Sequence, residues 1–112
     1  MALSDLMSLS EEYTFKKGAV LIQEEEQNQN LYIILSGTVR VGSKKQSRIV
    51  EAHETLGLES VFLIGEAGVR AVTQERTVLL KVNRDKLYRM MALHPSLAKA
   101  ILHALSEQIH QA

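Results

Sequence analysis

The chain has no cysteine among its 112 residues. That excludes a disulfide framework and any thiolate chemistry. Charge of one sign is also missing: 13 Lys and Arg balance 13 Asp and Glu, for a formal net charge of zero. No basic surplus is available to hold a polyanion, so the chain taken alone is not expected to bind nucleic acid. The N-terminus lacks the basic-then-apolar pattern of a signal peptide. No apolar run approaches membrane-spanning length, and no membrane partner is expected. A soluble, cytoplasmic protein is the default. Catalytic motifs are absent as well. There is no Ser-centred Gly elbow, paired catalytic acids, metal cluster or P-loop, and Gly65-Glu66-Ala67-Gly68 lacks the Lys-Ser/Thr of a triphosphate loop. The chain therefore reads as a non-enzyme without a resident cofactor or metal.

What is present suits one small domain spanning 1–112, with 46% hydrophobic residues and no internal repeat. Ser4 to Glu12 has helical character, with Leu6 and Leu9 three apart. Tyr13 to Lys17 alternates, Gly18 punctuates, and Ala19 to Gln23 has strand length. The run EEEQNQN, Glu24 to Asn30, is wholly polar and reads as a solvated turn. Leu31-Tyr-Ile-Ile-Leu is dense enough for a buried strand, Ser36-Gly37 marks a turn, and Val39 and Val41 alternate with Arg40. Gly42 to Gln46 is polar, while Ile49-Val50 and Thr77 to Val82 are strands. Asn83 can cap a helix that places Leu87, Met90 and Met91 on one face. Pro95 suits the first position of a second helix, carrying Ala98, Leu102, Leu105 and Ile109. Short strands between Gly and polar turns predict an antiparallel jelly-roll β-barrel over 13–82. With helices at 4–12 and 84–111, the class is α+β, mainly β.

The segment Leu56 to Thr73, LGLESVFLIGEAGVRAVT, carries one arginine, Arg70. A lone guanidinium on a turn whose neighbours expose N–H groups is a receptor for one phosphate, because its planar fork matches phosphate oxygens. The competing reading is a solvated surface arginine.

Gly18-x-Val20-Leu21-Ile22, the polar turn, and Tyr32-Ile-Ile-Leu-Ser-Gly-Thr-Val-Arg-Val41 resemble the opening half of the cyclic-nucleotide-binding domain family. Gly57 and Arg70-Ala-Val-Thr73 fall where that family keeps its phosphate-binding cassette, and Thr77 to Val82 and the helix at Pro95 complete the likeness. The resemblance implies a jelly roll that takes a cyclic nucleotide, cAMP or cGMP, inside the barrel. Its cassette arginine pairs with the phosphate, and a glutamate holds the ribose hydroxyl. Carried over, Arg70 is the phosphate arginine, Ala71 and Val72 offer backbone N–H groups, and Gly57 is the cassette glycine. The sugar would lie near Glu59 and the base against Ile34 and Val72. Two departures stand out. Leu58 intervenes between Gly57 and Glu59, which rotates the acid by about 100° on a helix, and Glu66 is then the alternative acid. The loop before Arg70 is also about two residues longer than usual. The string GLES is similar to the catabolite-activator/oxygen-regulator branch of bacterial transcription factors, whose DNA-binding part follows a long dimerisation helix. An excised or free-standing sensor domain is then implied, with Ala112 partway along that helix. A degenerate interaction or dimerisation module remains open.

Other features have plainer readings. Tyr32 is a buried tyrosine that seeks a polar partner. His103 and His110 are seven apart without a third ligand, a poor metal site. His53 and His94 read as turn and helix-start residues. The seam of Ala98, Leu102, Leu105 and Ile109 suits packing on the barrel, or a homodimer or partner-protein face. Leu97 and Ile101 offer a second apolar face.

Overall fold

The computed structural model describes residues 10–43, 45–62 and 65–111, with side-chain placement given through residue 107. Eight strands are followed by two helices. The strands are β1 (Glu11–Phe15), β2 (Val20–Ile22), β3 (Asn30–Ser36), β4 (Val39–Gly42), β5 (Ser47–Val50), β6 (Thr55–Leu56), β7 (Arg70–Thr73) and β8 (Thr77–Asn83). A 3-10 turn, Ser60–Phe62, lies between β6 and β7, and the helices are α1 (Arg84–Leu93) and α2 (Pro95–Gln111). Two antiparallel four-stranded sheets result, in the orders β1-β8-β3-β6 and β2-β7-β4-β5. The architecture is α+β, mainly β, and jelly-roll-like. The closed barrel expected from the strand spacing is not formed: β1 and β6 edge one sheet, β2 and β5 the other, and the sheets stack as a sandwich.

The expected opening helix falls largely outside the described residues, but its last three positions do not, and Ser10 is a bend rather than helix. Glu11 and Glu12 lie in β1, opposite Lys81 and Leu80 of β8. Pairing across strands overrides local helical character here: Glu11 stands opposite Lys81 in the register, its carboxylate accepts from Tyr13 OH at 2.6 Å, and the Lys81 ammonium sits 4.3 Å from the Tyr13 ring centroid.

The apolar density of β3 has a structural cause, since both of its faces are buried. Leu31 and Ile33 join Leu80 and Val82 in a core covered by the helices, against Leu87, Met90, Leu97 and Ile101. Tyr32 and Ile34 point the other way, into the sandwich, with Leu79, Val39, Val41 and Val50. A period of two thus feeds two separate cores. Asn83 caps α1, its side chain accepting from Lys86 N at 2.8 Å. Pro95 opens α2, where its missing N–H costs nothing. Leu97 and Ile101 are buried, and Leu105 is packed partly against the same core. Of the seam expected on α2, Leu102 remains 63% exposed, and the side chain of Ile109 lies outside the described residues, as does that of His110. No helix among the described residues is long and apolar enough to cross a membrane.

Candidate functional site

A cavity of about 290 Å³ opens between the sandwich and the segment that follows β6. Its apolar lining comes from Ile22, Val41, Leu56, Leu58, Ala67 and Val69. Thr55 and Ser60 add hydroxyls, and Gly57 presents bare backbone. The charged side chains on its wall are Arg48 and Glu59. Apolar side chains with placed polar groups in a concave recess are the usual form of a small-molecule site; this recess is more evenly polar and apolar than most, and its volume falls just below the usual range of about 300–1,000 Å³.

The wall segment 57–62 is held by three attachments. Gly57 has φ +82°, and a Cβ there would stand 2.6 Å from Asn28 Nδ2 and 2.9 Å from Asn30 O. Only glycine fits, both for its backbone and for the close approach. Asn28, 6% exposed, donates from Nδ2 to Asn30 O (2.8 Å), Ser60 Oγ (2.9 Å) and Gly57 O (3.3 Å). Its Oδ1 accepts from Asn30 N at 3.1 Å. Arg84, the first residue of α1, donates from Nε to Val61 O and from a terminal nitrogen to Asn28 O at 2.7 Å. Leu58 and Val61 meanwhile belong to the helix-covered core. The wall is therefore bonded to the first turn of α1 as well as packed beneath the helices. On the other side, loop 65–69 is fastened to the turn after β2: Ala67 N donates to Glu26 O (2.8 Å) and Gly68 N to Glu24 O (3.0 Å).

The structure divides the expected site residues. Gly57, Leu58 and Glu59 line the cavity. Arg70, Ala71 and Val72 lie on β7, and none is on its wall. Ala71 is buried in the sandwich, while Arg70 is exposed and Val72 partly so. This follows from register. Ala71 and Thr73 stand opposite the buried Val41 and Val39, so Arg70 and Val72 point to the outer face. Thr73 locks that register through its hydroxyl, which donates to Lys16 O (2.7 Å) and accepts from Ala19 N (2.8 Å). Glu66 is exposed and Ile34 fully buried, and neither lines the cavity. Tyr32, in the sandwich core, donates to Leu21 O at 3.2 Å, and burial raises its pKa above the usual phenol value.

Three residues that matter here carry no local signal: Arg48, Asn28 and Arg84. Arg48 sits in the polar stretch after Gly42, Asn28 within EEEQNQN, and Arg84 next to an obvious cap. Asn28 and Arg84 are distinguished by partners from distant parts of the chain, and Arg48 by its place opposite the buried Val41. No group of three or more His, Asp or Glu side chains among the described residues is arranged to hold a metal ion.

The sequence pattern of the cyclic nucleotide-binding domain matches residues 12–94. No curated protein matches. Among solved structures, the catabolite activator protein of Thermus thermophilus superposes with a TM-score of 0.86 at 23% identity, over 97% of this chain and 54% of that one. The sensor domain of the transcriptional regulator DNR from Pseudomonas aeruginosa gives 0.77 at 22% identity, over 97% and 77%. CLP of Xanthomonas campestris, described as a c-di-GMP responsive global regulator, gives 0.79 at 17% identity, over 97% and 56%. The chain thus spans about half of the Thermus protein. At these identities the superpositions establish the fold.

Proposed function

We infer that this chain, which belongs to the cyclic nucleotide-binding domain family, is a regulatory module that takes a cyclic mononucleotide, cAMP or cGMP, in the cavity beside Gly57. The observation that carries the reading is the cavity itself. It lies on the segment the family uses, is lined by apolar side chains with one carboxylate and one guanidinium, and is small enough to suit one nucleotide rather than two. Glu59 on its wall has the chemistry to accept a sugar hydroxyl.

Signal output would use the attachments of the wall. A ligand that shifts segment 57–62 acts on Val61 O and Asn28, both bonded to Arg84, and on Leu58 and Val61, which pack beneath α1 and α2. Differential contact with two wall positions would bias the helices. In a longer regulator such as the relatives above, those helices would lead to an effector domain. Calorimetric titration with cAMP and cGMP tests the reading. Binding at micromolar concentrations supports it, and absence of heat and of any thermal shift refutes it.

A second reading is favoured by one specific observation. Leu102 is 63% exposed and Leu93 75% exposed at the helical end, which suits a partner or a second copy of the chain. Leu102→Glu, measured by light scattering, tests this: loss of a dimer mass supports it, and an unaltered mass counts against it. The more buried Leu105 is unsuitable, because a charge there disturbs the core.

A further inference from the structure

We propose that Arg48, rather than Arg70, is the anion anchor of the cavity, so that a phosphodiester group binds on the β4–β5 side. This rests on the reading of the cavity as the ligand site, and it concerns which residue holds the charge.

Three observations carry it. First, Arg48 is the one cationic side chain among the described residues that line the cavity. Second, its direction is fixed by register. Arg48 stands opposite Val41, and Val50 opposite Val39; Val41, Val39 and Val50 are all buried, so the alternation turns Arg48 to the inner face. Arg70 stands opposite Gly42, one position beyond the buried Ala71–Val41 pair, and is turned outward. To reach the cavity, Arg70 would need β7 to slip by one residue, which would expose Ala71 and break both Thr73 hydroxyl bonds. Third, Arg48 also lines an adjoining hollow of about 170 Å³ with Val41, Gly42, Gln46, Ser47 and Val69. It therefore stands where two spaces meet. A guanidinium so placed suits an anion with substituents on two sides, which is the form of a phosphodiester and not of a terminal phosphate. The fork of N–H donors matches two phosphate oxygens. The Glu59 carboxylate on segment 57–60 repels the phosphate and leaves that wall to hydroxyls and apolar groups.

The test compares wild type, Arg48→Ala and Arg70→Ala, with circular dichroism as the check that both variants fold. Both side chains are exposed, so neither loss disturbs the core. If cAMP or cGMP binds, Arg48→Ala is expected to weaken it tenfold or more, and Arg70→Ala less than threefold. The reverse order, or an Arg48→Ala variant that binds as wild type does, overturns the proposal while leaving the cavity reading intact. If neither nucleotide binds, the functional reading fails and the anchor is tested separately. Dimethyl phosphate is then titrated against the guanidinium Nε–H resonances of the wild-type protein. A shift at Arg48 with none at Arg70 supports the proposal. No shift at Arg48, or one at Arg70 alone, overturns it.

Discussion

Asn28 should be among the most sensitive polar positions in the chain, although its sequence neighbourhood is the most hydrophilic. Its amide is 6% exposed and makes four hydrogen bonds, to Asn30 O, Ser60 Oγ and Gly57 O as donor and to Asn30 N as acceptor. Asn28→Ala removes all four and leaves the half-buried Asn30 N–H without its side-chain acceptor and the buried Ser60 hydroxyl without its donor. Orphaning a buried polar group costs about 1–3 kcal/mol, and the vacated volume adds to that, so the expected loss is about 2–3 kcal/mol. For a domain of this size that lowers Tm by about 10 °C. Asn28→Asp keeps the shape but turns the donating nitrogen into a carboxylate oxygen that faces the Asn30 and Gly57 carbonyl oxygens, both acceptors only. It should cost more than Asn28→Ala at pH 7, about 3–4 kcal/mol. The sign of its pH dependence follows. Burial raises the folded-state pKa of the introduced carboxyl, so its penalty shrinks as pH falls through that value, when the acid regains a donor. Urea unfolding of the two variants at pH 7 and pH 5 measures this. An Asn28→Asp variant no less stable than Asn28→Ala, with no relative gain at pH 5, refutes the donor role of the amide.

Gly57→Ala should cost about 2–4 kcal/mol, because φ is +82° and the new Cβ meets Asn28 and Asn30 at 2.6 and 2.9 Å. Gly18→Ala, at φ +89° with nothing within 4 Å, should cost about 1 kcal/mol, and urea midpoints separate the two. Ile101→Ala, at a buried position of α2, should cost about 2–4 kcal/mol in the same assay. Tyr32 stays neutral in the folded state to a higher pH than in the unfolded chain, because burial raises its pKa. Its contribution is thus full below about pH 10 and is lost as pH rises from the unfolded value through the folded one. Tyr32→Phe, followed by alkaline denaturation, should remove that part of the pH dependence.

Elements whose signal is local were legible from the residues alone. Leu31 to Leu35 announces a buried strand by density, Asn83 a helix start by its side chain, and Pro95 the next helix by its ring. The cavity wall at Gly57, Leu58 and Glu59 was reached through family likeness. The outcomes that escaped depend on pairing between distant segments. Asn28 reads as solvated because two of its acceptors lie 29 and 32 residues away, at Gly57 and Ser60. Arg70 reads as a phosphate ligand because it stands out in an apolar stretch. Whether it faces inward depends on a one-residue register set by Thr73 against Lys16 and Ala19. Arg48 is the converse case, an unremarked residue turned inward by its pairing with Val41. The two-residue β6 is too short for any periodicity to show, and exists because Tyr32 and Ile33 offer it an edge.

The most direct measurement is methyl NMR of the protein titrated with cAMP and with cGMP. Ile22, Val41, Leu56 and Val69 line the cavity, whereas Val20 and Val72 belong to β2 and β7 without lining it. Shifts at the first group with Val20 and Val72 unmoved are the expected result. Shifts confined to Val20 and Val72, or none anywhere with either nucleotide, would contradict the assignment of the cavity as the ligand site.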